Sequence, residues 1–184
     1  VSTEFPLEVA DEAERLAARG IGEEELRGRL DLRDEEIFTI DGADSLDLDD
    51  AVSLVKQGDD YQLGVHIADV SHYVRRQTAL DKEAFERGTS IYFANKVVPM
   101  LPKQLSNGIC SLNPGEDRLA FSALLTVDAK GRLVGFDFKK SVIRSRVKGV
   151  YSEINAVLDG TADETVAQKY APYYYQLKLM EQLA

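Results

Sequence analysis

Five aspartates fall within one stretch of ten residues, and this crowding limits how the chain can fold. The stretch reads Asp-Gly-Ala-Asp-Ser-Leu-Asp-Leu-Asp-Asp and runs from Asp41 to Asp50. Carboxylates that are brought together without a counter-ion repel one another and raise one another's pKa. Leu46 and Leu48 alternate with the aspartates, which indicates partial burial rather than a fully solvated acidic loop. The fold must therefore offer these side chains either open solvent or a cation.

A turn inside the stretch predicts that several of the carboxylates meet. Gly42 permits a sharp turn directly after Asp41. In an extended segment Asp47 and Asp49 share one side, and Asp50 points to the other. The turn can bring Asp41 back against Asp49 and Asp50. We therefore predict a cup of carboxylates that follows a short strand.

A hard divalent cation would remove the repulsion in such a cup. Mg²⁺ prefers oxygen ligands and keeps several waters. A cup of this kind could hold two cations about 3.5–4 Å apart, as in two-metal phosphodiester hydrolysis. An exposed acidic loop and a calcium site are the alternatives. A calcium loop of the EF-hand type needs an oxygen ligand at its fifth position, where a loop that starts at Asp47 would place Ala51.

The charge distribution qualifies the formal net charge of −10. Residues 1–60 carry 19 acidic and 6 basic side chains, whereas residues 61–184 carry 13 acidic and 16 basic ones. A basic stripe lies within residues 130–148 and consists of Lys130, Arg132, Lys139, Lys140, Arg144, Arg146 and Lys148. This stripe is either a solvated strand face or a track for nucleic-acid phosphates. The acidic total therefore does not exclude nucleic-acid binding.

Composition places the chain among globular domains, with 184 residues, 44% hydrophobic and 29% charged. The single Cys110 cannot form an internal disulfide or a cysteine zinc cluster, and we expect it to be a buried small side chain. No stretch approaches the roughly 18 apolar residues of a membrane span, and no signal segment opens the chain. These features predict a cytoplasmic location. Because the first residue is Val1 and a helical pattern continues to Ala184, we expect a piece of a longer protein.

Hydrophobic periodicity predicts a mixed α/β (α+β) fold with a largely antiparallel sheet and helices packed on it. We predict helices at residues 8–19, 23–30, 80–87, 151–158 and 164–183, and the second of these is expected to break at Gly28 or just beyond. We predict strands at residues 37–40, 51–56, 61–67, 119–127 and 133–138, with 141–151 extending the sheet. Residues 1–35 are expected to form a helical linker or the edge of a preceding domain, and residues 36–184 the main domain.

Five sequence blocks follow one another along the chain: Thr39–Asp50, His66–Ser71, Arg87–Phe93, Val98–Pro102 and Leu105–Pro114. In this order they resemble the blocks of the ribonuclease II and ribonuclease R family, also called the RNB family. The resemblance implies that residues 36–184 are the N-terminal half of an RNB-type catalytic domain. The second half of that domain carries an Arg-Arg-Tyr motif in the family, and this chain has only Arg75-Arg76-Gln77. We therefore expect the missing C-terminal half on the same parent protein or on a separate chain.

The resemblance also implies an activity. The family consists of hydrolytic, processive exoribonucleases that degrade single-stranded RNA from the 3′ end and release nucleoside 5′-monophosphates by two-metal catalysis. The implied cofactor is Mg²⁺, as one or two ions, with Mn²⁺ as a substitute. The alternative is an RNB-like protein that binds RNA without catalysis. Clustered carboxylates argue against a pure binder because they repel phosphates. A calcium-stabilised interaction module is a third hypothesis, and its ligand spacing is poor.

The resemblance assigns roles to particular residues. The family's four catalytic aspartates, which bind the metal, correspond to Asp41, Asp47, Asp49 and Asp50, and Asp47 and Asp49 are the two expected to act in catalysis. Asp49 matches the residue most directly tied to catalysis, and Asp47 supports the second metal. Asp44 is not among the four and is expected to be a turn residue. Tyr92 matches the tyrosine that stacks on the 3′-terminal base of RNA. Without the flanking blocks, an ordinary strand tyrosine would be the preferred interpretation.

His66 and His72 are the only histidines of the chain. A histidine general base is one interpretation of either residue. A two-metal site, however, makes its own nucleophile by lowering the pKa of bound water. We therefore predict packing or hydrogen-bonding roles for both.

Overall fold

The strands and helices are described for residues 3–94 and 96–184 in a computed structural model. The strands are β1 (Leu30–Leu32), β2 (Thr39–Asp41), β3 (Asp50–Gln57), β4 (Asp60–Ala68), β5 (Ile91–Tyr92), β6 (Val97–Val98), β7 (Asp117–Val127), β8 (Leu133–Arg144) and β9 (Lys148–Val150). The helices are α1 (Leu7–Arg19), α2 (Glu23–Leu26), α3 (Val70–Tyr73), α4 (Ala79–Arg87), α5 (Tyr151–Leu158), α6 (Glu164–Tyr170) and α7 (Tyr174–Leu183). A π-helical segment at Gln104–Ile109 and a 3₁₀ turn at Ala171–Tyr173 complete the set.

The central sheet has the strand order β1-β8-β7-β4-β3. Its β3–β4, β4–β7 and β7–β8 pairs are antiparallel, and only the β1–β8 pair at one edge is parallel. The mixed fold with a largely antiparallel sheet is therefore confirmed. The alternation of apolar residues along 61–67 correctly predicted strand β4, which pairs with β3 on one side and β7 on the other.

A second, parallel pair of strands places the aspartate stretch beside the central sheet. Strand β2 pairs with β9, so that Asp41 lies opposite Val150. An isolated bridge between Phe38 and Val52 joins the same segment to β3. Residues 42–49 therefore form a loop whose two ends are both held by strands.

Three predicted elements differ from the structure. The helix predicted at 23–30, with a break at Gly28 or just beyond, already ends at Leu26; Gly28 adopts a φ of 78°, and Leu30 enters strand β1. The helix predicted at 164–183 is interrupted at Ala171–Tyr173, where Pro172 lacks the backbone donor that a continuous helix needs. The strand predicted at 141–151 ends at Arg144, and a separate short strand follows at Lys148–Val150.

The N-terminal segment packs against the central sheet. Val9 and Ala13 of α1 are buried in one apolar cluster with Leu80, Leu105 and Leu119. Strand β1 belongs to the sheet itself. Residues on both sides of position 35 therefore pack together. The predicted division between residues 1–35 and 36–184 stays a prediction. Residues 1 and 2 of the predicted first segment lie outside the described residues.

A buried ion pair fastens the start of β1 to the end of β4. The Arg29 guanidinium donates from Nη2 to Asp69 Oδ2 at 2.7 Å, and both side chains are almost fully buried. Its Nη1 donates to the carbonyl oxygens of Ala120 and Ser141 in the two strands between them. Buried charges need this degree of pairing, so the contact ties the N-terminal segment to the sheet.

His66 lies inside the sheet within a chain of hydroxyl groups, which confirms a hydrogen-bonding role. Its Nδ1 lies 2.7 Å from Ser122 Oγ, and its Nε2 lies 3.1 Å from Ser53 Oγ. Ser122 Oγ in turn lies 2.7 Å from Ser141 Oγ. These partners come from β3, β7 and β8. Because a slip of one residue would move His66 to the opposite face, the network favours a single strand register.

Substitution of His66 tests this network through pH. Burial lowers the pKa of His66 to about 4, from an ordinary value near 6.5. The unfolded chain therefore binds this proton more readily, and stability that is present above about pH 6.5 falls as pH decreases towards about 4. The loss should approach about 3 kcal/mol. Urea unfolding at several pH values should show that the free energy of unfolding of the wild type falls more steeply with decreasing pH than that of His66→Gln. Equal pH dependences of the two proteins would contradict this prediction.

Among the described residues, the helices are too short or too polar to cross a lipid bilayer.

Candidate active site

The aspartate stretch connects β2 to β3 and brings four carboxylates into one electrostatic cluster. Asp41 ends β2 and Asp50 begins β3, while Asp47 and Asp49 lie in the loop between them. Desolvation raises the pKa of Asp49, and the charges of Asp47, Asp50 and Asp41 raise it further. Burial likewise raises the pKa of Asp41, with added repulsion from Asp50 and Asp47. We call these four side chains the carboxylate cluster.

Asp44 stands apart from the carboxylate cluster. It is exposed in a turn in which the Ser45 backbone N–H donates to the Gly42 carbonyl oxygen at 3.1 Å. Its position as a turn residue is thus confirmed. Asp44 therefore does not belong to the carboxylate cluster. The metal-binding and catalytic roles of the four clustered aspartates stay predictions.

Backbone hydrogen bonds anchor the aspartate loop to neighbouring segments. Leu48 is buried, and its N–H donates to Ser111 Oγ at 3.0 Å. The Ser111 hydroxyl also donates to the Leu46 carbonyl oxygen at 2.9 Å. The Leu112 N–H donates to the Leu48 carbonyl oxygen at 2.8 Å, and the Ala68 N–H to that of Asp49 at 2.9 Å. These bonds hold the main chain of the loop and use none of its carboxylates.

Tyr92 lies next to the carboxylate cluster. Its hydroxyl donates to Asp47 Oδ2 at 3.1 Å, and this hydrogen bond raises the pKa of Tyr92. The residue is 66% exposed, so most of its ring is open to a ligand. The structure therefore joins the tyrosine to the aspartates, although they are distant in the sequence.

Two clefts meet at the contact between Tyr92 and Asp47. Their volumes are about 560 and 390 Å³, and both are lined by Asp47, Tyr92, Ser90 and Ser106. Asp49 lines the smaller cleft. The sequence analysis missed Ser90 and Ser106, because small hydroxyl residues in the matched blocks carry no distinguishing local pattern.

The basic stripe is largely occupied by contacts within the chain. Arg132, Lys139, Lys140 and Arg144 each pair with a carboxylate. Arg146 and Lys148 donate to backbone carbonyl oxygens. These contacts give the stripe a structural use, and Lys148 is the member that reaches the aspartate loop.

The donor chemistry of the carboxylate cluster fits a hard divalent cation. Asp41 Oδ2 is buried and has no hydrogen-bond partner within residues 3–94 and 96–184. A buried carboxylate oxygen of this kind is costly unless it is paired or bound to metal. Within the same residues, no group of three or more acidic, histidine or cysteine side chains is arranged to hold a metal ion. The carboxylate oxygens therefore fit the ion by their chemistry, whereas their spacing does not form a metal site.

The fold and the carboxylate cluster define a class of protein. Residues 29–184 match the RNB domain, so the chain belongs to the RNB domain family. Ribonuclease R of Thermotoga maritima is 50% identical over 171 residues, which are 92% of this chain and 24% of that protein. Ribonuclease R 1 of Lactococcus lactis subsp. lactis is 46% identical over 184 residues, which are 100% of this chain and 22% of that protein.

A solved structure shares the same fold. Mycoplasma genitalium RNase R in complex with ribose-methylated single-stranded RNA matches with a TM-score of 0.77 and 34% sequence identity. The match covers 92% of this chain and 28% of the M. genitalium chain. The chain thus spans about a quarter of the length of these relatives.

Neutralising Asp47 should lower the pKa of Asp49. Asp47 is the largest of the charges that raise it, so Asp47→Asn removes that repulsion and favours the ionised form. A ¹³C NMR titration of the aspartate carboxyl carbons would measure the change. Asp44→Asn is the matched control and should leave Asp49 unaffected. An unchanged or raised pKa in Asp47→Asn would show that these two carboxylates are not coupled.

Proposed function

We propose that this chain carries the hydrolytic centre of a processive 3′-to-5′ exoribonuclease that acts on single-stranded RNA. The observation that carries the proposal is the carboxylate cluster beside the exposed ring of Tyr92. Membership of the RNB family and similarity to proteins named ribonuclease R support it. The proposed products are nucleoside 5′-monophosphates.

The carboxylate cluster would hold Mg²⁺, as one or two ions, and Mn²⁺ could replace it. Asp41 and Asp50 are the first-choice ligands, Asp47 supports a second ion, and Asp49 is the residue tied most directly to catalysis. When bound, such ions lower the pKa of a bound water and offset charge on the scissile phosphate. Asp49 and Asp50 are exposed residues, which supports access of an ion and a phosphate to them.

Tyr92 would fix the end of the RNA. A base that stacks on its ring lies beside the carboxylate cluster, because the tyrosine hydroxyl contacts Asp47. Stacking contributes about 1–3 kcal/mol per base and tolerates any base. Water attack on the adjacent phosphorus, with departure of the 3′-oxygen of the preceding nucleotide, then releases a nucleoside 5′-monophosphate. The two clefts on either side of this contact provide space for the terminal nucleotide and its neighbour.

The remaining part of the catalytic domain is a further proposed partner. The chain spans 22–24% of the two ribonuclease R relatives compared above. It also lacks an Arg-Arg-Tyr sequence. We propose that the C-terminal half of the domain, on the same parent protein or a separate chain, completes the RNA site. The cytoplasmic location stays a prediction.

Asp49→Asn tests the catalytic proposal. The substitution is nearly isosteric but removes one charge from the carboxylate cluster, so transition-state stabilisation should fall while RNA binding persists. Loss of one positioned electrostatic contact commonly costs about 10²–10³ in rate. The measurement is the shortening of 5′-labelled single-stranded RNA by the full-length protein that contains this chain. Asp44→Asn is the control and should retain wild-type activity.

Two results would contradict this proposal. Equal activity in excess chelator would exclude the metal requirement. Tight RNA binding by the wild type, with no shortening in Mg²⁺ or Mn²⁺, would favour the alternative of an RNB-like RNA-binding protein.

Tyr92→Ala should change where degradation stops. Without the ring, the enzyme should hold the last nucleotides less tightly, so the length of the final RNA product should change while the metal stays bound. High-resolution gel analysis of the end products would show the shift. Phe85→Ala removes another exposed ring, on α4, and should leave product length unchanged. Identical end products for Tyr92→Ala and the wild type would refute the stacking role.

A further inference from the structure

Lys148 crosses from β9 to the aspartate loop and bonds to its main chain. Its Nζ donates to the carbonyl oxygen of Ala43 at 2.8 Å and to that of Ser45 at 2.7 Å. Both carbonyls belong to the turn that follows Asp41. An ammonium group has three donors and no acceptor, so two of the three donors of Lys148 are used on the loop.

The strand pairing explains how Lys148 reaches this position. Lys148 lies opposite Thr39 in the parallel pair of β9 and β2, two residues before Asp41. A Cβ atom at Gly149 would collide with the Thr39 carbonyl oxygen. Glycine at that position therefore permits the close approach of the two strands. Lys148 thus starts from the strand that supports Asp41 and extends over the loop.

Lys148 differs from its neighbours in the basic stripe. Lys139 pairs with Asp137 and Lys140 pairs with Asp69. In the described part of the chain, no ion pair joins Lys148 to a member of the carboxylate cluster. Its charge still lowers the pKa of Asp41. The side chain is therefore close to the cluster, but its hydrogen bonds go to the loop backbone.

We propose that Lys148 is a positioning residue, which sets the conformation of the aspartate loop and thereby the placement of the metal-binding carboxylates. This inference rests on the proposed metal-dependent function. Groups that orient metal ligands without touching the metal commonly contribute about 10–100-fold to metal affinity. Loss of both carbonyl bonds should release the turn between Asp41 and Asp47.

Three roles for Lys148 predict different outcomes when its ammonium group is removed. A positioning residue predicts weaker metal binding with RNA affinity retained. A counter-charge to the cluster predicts tighter metal binding, because a nearby cation repels the metal ion. A phosphate contact predicts weaker RNA binding and a salt dependence whose slope falls by about 1.

The test compares Lys148→Met, Lys148→Arg and Lys148→Leu with Lys139→Met. Electron paramagnetic resonance would measure Mn²⁺ binding to the chain without RNA, and RNA affinity would be measured at several salt concentrations. Lys148→Met should weaken Mn²⁺ binding about 10–100-fold. Lys148→Arg should restore most of the affinity because a guanidinium can donate to both carbonyls. Lys139→Met is the matched control from the same stripe and should bind Mn²⁺ normally.

The outcomes separate this inference from the proposed function. Absence of Mn²⁺ binding by the wild type would refute the proposed metal site itself. Wild-type Mn²⁺ binding together with unchanged or tighter binding by Lys148→Met would overturn the positioning role alone. If thermal unfolding shows that Lys148→Met does not fold, Lys148→Leu, which also lacks a donor, takes its place, and equal Mn²⁺ affinity of that variant and the wild type would likewise overturn the inference.

Discussion

Mutual repulsion among the carboxylates of the aspartate loop is the constraint on which the site depends. Folding brings Asp41, Asp47, Asp49 and Asp50 together and raises the pKa of Asp41 and Asp49. The free energy to hold them cannot come from their own contacts, since like charges oppose close approach. It comes instead from the loop's main chain and from buried Leu48, whose backbone groups bond to Ser111 and Leu112. The backbone of the loop is therefore fixed by bonds that use none of the four carboxylates.

The strands on either side of the aspartate loop hold its two ends in place. The β2–β9 pair supports Asp41, and the β3–β4 pair supports Asp50, which lies opposite Ile67. Within the central sheet, the bonded chain from Ser53 through His66 to Ser122 favours one register. A slip in that register would displace the end of β3 and with it one side of the carboxylate cluster. The position of Asp50 in the carboxylate cluster thus depends on the strand register that the polar network inside the sheet favours.

Much of the architecture could be predicted because it is local. Alternating apolar residues identified β4, and the glycine that follows Arg19 marked the end of α1. The secondary-structure prediction failed where pairing with a distant strand, or the missing backbone donor of a proline, overrode the local sequence pattern. Leu30 looked like the end of a helix, but it pairs with Ser141 in β8. Pro172 interrupts a pattern that was otherwise helical, because proline cannot supply the hydrogen bond that the next turn requires.

The sequence by itself determined which side chains could meet and to which family they belong. Residue types and order were sufficient for the four aspartates and for Tyr92, because the acidic residues lie in one short segment and the matched blocks flank it. Only the tertiary structure decided what supports them. Ser111 reaches Leu48 across 63 positions, Tyr92 reaches Asp47 across 45, and Lys148 reaches Ala43 across 105. Contacts of that range leave no trace in local periodicity, since they form only after the strands between them have paired.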